Sequence, residues 1–115
     1  VKLNIKERLG LLELLPSEDG YSALKAIRRA KESLSLTPQE LTDYNFQQVP
    51  MGSGFSVKWD VEKERIRDIP LDEFVTDKVR NILVKLDKDN KLTDSTFGLY
   101  EKFVVAYRNT EVAHQ

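Results

Sequence analysis

Cysteine is absent from this chain, and histidine occurs once, at His114, one residue from the end. Without cysteine there are no disulfides, thiolate metal sites or thiol nucleophiles, which is consistent with a reducing compartment. A single histidine leaves most nucleophile–base pairs and zinc sites without their usual parts. An enzyme would have to work with carboxylates, lysines, tyrosines or hydroxyls alone. His114 lies in a short tail, 110–115, read as frayed, with no fixed partner to tune it. No apolar run approaches the roughly 20 residues that span a bilayer. The start, Val1-Lys2-Leu3-Asn4, lacks signal-peptide organisation, so a cytoplasmic location is expected. Charge of one sign is also missing: 18 basic against 19 acidic side chains leave a net charge of -1. Bulk attraction to nucleic acid or anionic membrane is therefore disfavoured, although a local basic patch remains compatible.

What is present suits one folded domain over residues 1–115. Ten aromatics (five Phe, four Tyr, one Trp) and many aliphatic side chains supply a core, and a chain of this size buries roughly two thirds of its unfolded surface. Repeats, low-complexity tracts and dividing linkers are lacking. The strongest local signals are helix starts. Thr37-Pro38-Gln39-Glu40 offers an N-cap, a proline at the first helical position and a capping-box glutamate, with Leu36 and Leu41 placed for a hydrophobic staple. Thr93, flanked by Leu92 and Phe97, repeats the pattern without the glutamate. Asn4 with Glu7 forms a weaker box, and Asp72 caps a further helix.

Periodicity fills in the rest. Ile5, Leu9, Leu12 and Leu15 recur at helical spacing, broadened by Leu11 and Leu14, until Pro16 ends the helix. From Tyr21 to Leu34, Ala23, Ala26, Ile27, Ala30 and Leu34 share an apolar arc opposite Lys25, Arg28, Arg29 and Glu32. Val75, Val79, Ile82, Leu83 and Leu86 form one later face; Phe97, Tyr100, Phe103, Val104 and Tyr107 form another. Between the helical halves, Phe55, Val57 and Trp59 alternate with polar residues, as in a half-buried strand. Arg65 to Ile69 is the expected partner across a turn at 60–64, and 44–49 a third strand. The expectation is an α+β fold: four main helices and one short one around a two- or three-stranded antiparallel sheet.

Candidate sites are few. Asp87-Lys88-Asp89-Asn90-Lys91 opens like a calcium-binding EF-hand loop. It departs where that motif is strict: Lys91 stands at the fifth position, Leu92 replaces the glycine and Gly98 the bidentate glutamate. A polar helix–helix connection is the better reading. Pairs such as Glu62/Glu64 and Asp72/Glu73 sit in a turn or at a helix start, with no apolar pocket to separate their pKa values for acid–base work. Gly52-Ser53-Gly54 lacks the Lys-Ser or Lys-Thr of a phosphate loop. No catalytic, cofactor or metal residue is therefore nominated. The basic arc of Lys25, Arg28 and Arg29 is a candidate contact for phosphates or an acidic partner. Against it stands solvation of a surface helix, with Glu32 in place to pair with Arg28. Met51 and Phe55, around the flexible 51–54 loop, are further partner-binding candidates. Trp59 is read as core. Three helices followed by a hairpin is also the order of a winged helix–turn–helix. There the short helix would read the groove, but it carries Glu40 and Asp43 and no Lys or Arg.

The chain resembles short proteins of bacteriophages and prophage regions, generally without assigned function. The likeness rests on Ile5-Lys6-Glu7-Arg8-Leu9-Gly10-Leu11-Leu12-Glu13-Leu14-Leu15-Pro16, on Val57-Lys58-Trp59-Asp60, and on Leu92-Thr93-Asp94-Ser95-Thr96 with Leu99-Tyr100-Glu101-Lys102-Phe103. It implies a mobile-element context and transfers no site residue. The expected function is a non-enzymatic protein-binding or assembly role, with another protein or a second copy as partner. The alternative is a winged-helix-like nucleic-acid binder.

Overall fold

A computed structural model describes residues 1–107; His114 and the 110–115 tail lie outside the described residues. The architecture is α+β. Strand β1 (Lys2–Leu3) leads into helices α1 (Ile5–Leu14), α2 (Tyr21–Leu34) and the short α3 (Pro38–Asp43). Strands β2 (Gln47–Met51) and β3 (Gly54–Lys58) follow, then a 3-10 turn at Val61–Lys63 and strand β4 (Arg67–Asp68). Helix α4 (Glu73–Lys88) and helix α5 (Asp94–Tyr100) complete the order, α5 running on into a π turn over Glu101–Val105.

Every helix start read from the sequence is built as expected. The Asn4 and Thr37 side chains accept from the backbones of Glu7 and Glu40, whose carboxylates answer the cap N–H groups. Asp72 accepts from Val75 at 2.8 Å. At Thr93 the reciprocal partner is the hydroxyl of Thr96, which accepts the Thr93 N–H at 2.8 Å and so replaces the missing glutamate. The staples are weak, because Leu41 and Phe97 stay largely exposed.

Two helix ends share one device. Asn45 and Asn90 have φ of 52° and 57°, and the next residues donate back to Leu41 O and Leu86 O at 2.9 and 2.8 Å. This is the left-handed Schellman cap, which asparagine tolerates better than most side chains. The 87–91 segment is thus the capped end of α4, a polar connection to α5.

The strands are arranged differently from the sequence reading. The partner of β3 is β2, with Met51 opposite Gly54 and Gln47 opposite Lys58. The connection is two residues, Gly52-Ser53, with Gly52 at φ +58° and Ser53 not positive. That is the geometry of a II′ turn, whose twist suits a hairpin, and so short a loop costs little closure entropy. Residues 60–64 form a 3-10 turn instead of a hairpin loop, and β4 runs to the other end of the chain. It pairs antiparallel with β1, Lys2 opposite Asp68 and Leu3 opposite Arg67. Two separate ribbons therefore replace a single sheet. Tyr44 is the buried C-cap residue of α3 and not part of a strand; its hydroxyl accepts the Arg65 N–H at 3.3 Å.

The core is helical. Leu11 and Leu15, Ile27, Ala30 and Leu34, then Val75, Val79 and Leu83 pack with Leu99, Phe103 and Val104, sealed by Leu3 of β1 and by Ile69 just after β4. Leu12 is only partly buried, a correction to its place on the expected core arc. The arc from Phe97 to Tyr107 also shifts: Phe97 is 57% and Tyr107 42% exposed, while Leu99 and Val104 are fully buried. Residues five apart diverge on a regular α-helix. The π turn brings these two onto one side, since i→i+5 pairing widens the helix and changes the rotation per residue. Arg80 meets the distortion by donating from Nε to Phe103 O at 3.0 Å. Gly10 lets α5 approach α1, because a Cβ there would lie 3.1 Å from Leu99 Cδ1.

Candidate functional site

The basic arc is where the sequence placed it. Lys25, Arg28 and Arg29 stand exposed on the outer face of α2, whose opposite face buries Ile27, Ala30 and Leu34 against α1 and α4. Among the described residues no ion pair reaches any of the three cations; the i,i+4 pair of Arg28 with Glu32 is not formed. Tyr21, 81% exposed, and the half-buried Leu24 border the same surface. With Lys25, Arg28, Arg29 and Glu32 they line a shallow hollow of about 390 Å³. A second hollow of about 370 Å³ lies between α2 and the start of α4, floored by Ala26, Ala30, Leu71 and Val75. Arg29 borders both. Tyr21, Leu24 and Leu71 were not singled out from the sequence. Only the first two carry a signal there, standing at i−4 and i−1 to Lys25.

Met51 and Phe55 occupy a different element, the β2–β3 hairpin, at 64% and 74% exposure. The register puts Phe55 and Val57 on one face with Pro50 and Gln48 opposite them, and Val49 and Ser56 on the other. The expected burial is inverted: Ser56 is half-buried, whereas Phe55 and Val57 face outwards. Trp59 does not share a packed face with them. It is half-buried and stacks on Phe46, ring centroids 5.9 Å apart and planes 12° from parallel.

The hairpin's two edges are chemically unlike. In a two-residue hairpin the closing pair, Met51 and Gly54, exchanges hydrogen bonds, and bonded and non-bonded pairs then alternate. Pro50/Phe55 and Gln48/Val57 are hence the non-bonded pairs, with their backbone groups turned outwards. On β2 one of those outward positions is a proline, which has no N–H to offer. On β3 both N–H and both C=O groups of Phe55 and Val57 are open among the described residues.

A buried ion network lies beneath α3. Arg8, 1% exposed in the middle of α1's apolar face, is bidentate to Glu40 at 2.7 and 3.1 Å. Its other donors reach Leu34 O at 3.0 Å and Ser35 O at 2.8 Å, the last carbonyls of α2. Arg67 approaches Glu40 from the strand side at 3.2 Å. The Arg8 guanidinium, aided by the Thr37 N–H and Arg67 and opposed by burial, holds the Glu40 carboxyl down at about 2. Its ordinary value is 4.5. Because the folded value is depressed, the stabilisation is present above about pH 4.5 and is lost as pH falls towards 2. We expect on the order of 3 kcal/mol to disappear over that window, and Glu40→Gln to flatten this limb when urea midpoints are measured from pH 6 to 2. A mutant that keeps the wild-type acid slope would exclude Glu40 as its source.

Elsewhere, Lys78 pairs with Asp19. No group of three or more His, Cys, Asp or Glu side chains is placed to hold a metal among the described residues. Nor is any helix among them long and apolar enough to cross a membrane. No protein-family model, curated protein or solved structure matches the chain.

Proposed function

We propose that this protein is a non-enzymatic association module that works through its hairpin, by adding a strand from a second protein chain to the open edge of β3. The observation that carries the reading is that edge, with Phe55 and Val57 exposed beside four backbone groups that are unpaired among the described residues. A two-stranded ribbon is marginal alone in water, and a third strand relieves both deficits. A second copy is the occupant that fits. Antiparallel β3–β3 pairing centred on Ser56 sets Phe55 of each copy opposite Val57 of the other, so all four open groups are used. It also sets Lys58, the sole charge of β3, opposite Gly54. Aromatic–β-branched cross-strand pairs are favourable, and no like charges oppose. A phage-type accessory setting belongs to this reading and rests on the resemblance alone.

Five-residue strands bury less than the roughly 1,200 Å² of stable interfaces, so the dimer should be weak, with Kd on the order of 100 μM. Sedimentation equilibrium from about 10 μM to 1 mM tests it. Val57→Pro removes one outward N–H while leaving the hairpin's own bonds intact, and should give a monomer with unchanged circular dichroism. Wild type that stays monomeric throughout, or a proline variant that still dimerises, overturns self-pairing.

The second reading, a winged-helix-like nucleic-acid binder, is favoured by Lys25, Arg28 and Arg29, unpaired among the described residues, together with the order α1, α2, α3, hairpin. With Glu40 turned inwards onto Arg8, Asp43 is the remaining carboxylate on the outer side of α3. This reading requires duplex binding that weakens steeply with salt.

A further inference from the structure

The face of α2 is separate from the hairpin, and what it displays is not accounted for by strand addition. We propose that it is the docking site for an acidic, amphipathic segment of a partner protein. The segment's carboxylates would sit over Lys25, Arg28 and Arg29, and one apolar side chain would enter the neighbouring hollow.

Charge is the first argument. Three cations within five residues face one carboxylate, Glu32, in a chain whose net charge is -1. The summed charge of these four side chains is opposite in sign to the net charge of the chain. None of the three is paired among the described residues, so each retains its full donor capacity. The two arginines can each grip a carboxylate bidentately.

Shape and lining supply the second. Tyr21, 81% exposed, stands beside Leu24 at the cationic face, and an apolar hollow opens next to Arg29. Cations at the rim of an apolar depression are the pattern of a helix or strand anchor with acidic flanks. The volume of about 370 Å³ admits a Leu or Phe side chain. Asp72 lines that hollow too and caps α4 through the Val75 N–H. It repels a carboxylate there and so selects an apolar group for the interior.

These features also favour a peptide over a nucleic acid. Lys25 to Arg29 spans about one helical turn, roughly 6 Å, which covers few phosphates. Glu32 lines one hollow and Asp72 the other, and each carboxylate repels phosphate.

The test is fluorescence polarisation with an array of labelled 12-residue peptides, rich in Asp and Glu, with Leu or Phe at i,i+4 spacing. Controls replace the apolar residues by Ser or the acids by Lys, and a 12-base-pair duplex is run in parallel. We expect saturable binding of the acidic apolar peptides only, weakened about tenfold or more by Arg28→Glu/Arg29→Glu and by added salt. The same double variant should acquire affinity for the Lys-rich control, with circular dichroism and a urea midpoint matching wild type to show that the fold is kept. The proposal fails if no acidic peptide saturates, if charge reversal leaves affinity unchanged, or if Ser-substituted peptides bind equally well. Tighter binding of the duplex than of every peptide would transfer the face to nucleic acid.

Discussion

Arg8→Ala should destabilise the protein by about 3–5 kcal/mol, the usual range when one partner of a buried ion pair is removed. Arg8 is 1% exposed, and its loss strands more than a carboxylate. Among the described residues Glu40 then keeps Arg67, itself partly exposed, and the Thr37 N–H. Leu34 O and Ser35 O, at the end of α2, lose the donors that satisfy them. One side chain thus joins the middle of α1 to the end of α2 and the start of α3. Folding free energies for domains are only about 5–15 kcal/mol, so the variant should be close to the limit of folding. Chemical denaturation gives the measurement, and a loss under about 1 kcal/mol would show that water replaces the network. Arg8→Met with Glu40→Leu separates the charge pair from the capping role. Apolar replacement of a buried pair is often neutral, but here the α2 carbonyls and Thr37 N–H stay unsatisfied, so the double variant should recover only part of the loss.

Phe103→Ala is the second large effect, about 3–5 kcal/mol, because the ring is 4% exposed and packs where the π turn meets the core. Leu12→Ala should cost less, about 1–2 kcal/mol, since that side chain is only partly buried on the rim of the cluster. The contrast is a direct check on the packing. Equal losses at the two positions would place Leu12 inside the core and contradict its partial burial at the rim. Urea unfolding of both variants, with equal m-values required, makes the comparison clean.

The caps at Asn4, Thr37, Asp72 and Thr93 were legible because a cap is a bond between groups three residues apart, and its chemistry is complete within that window. The cationic face of α2 was legible for a similar reason: helical period alone separates Lys25, Arg28 and Arg29 from Ile27, Ala30 and Leu34. The hairpin was only half legible. Alternation along 55–59 declared a strand and two unlike faces, but which face is covered depends on what lies above it, and among the described residues no layer covers the Phe55 side.

Arg8 shows the limit most clearly. On the wheel of α1 it interrupts the apolar arc, and its meaning rests on Glu40, 32 residues away, which the local reading assigned to a capping box and to the outward charge of the short helix. The pairing of β1 with β4 is likewise a contact between distant parts of the chain. The π turn is different, a local distortion stabilised by a remote donor, Arg80, and it turns Leu99 and Val104 inwards together where a regular helix would separate them. Composition and short-range spacing determined the α+β class, the helices, their starts and the charged surface by themselves. Strand partners, the buried ion network and the open β3 edge were decided by tertiary structure, because each depends on groups that only the folded chain brings within reach.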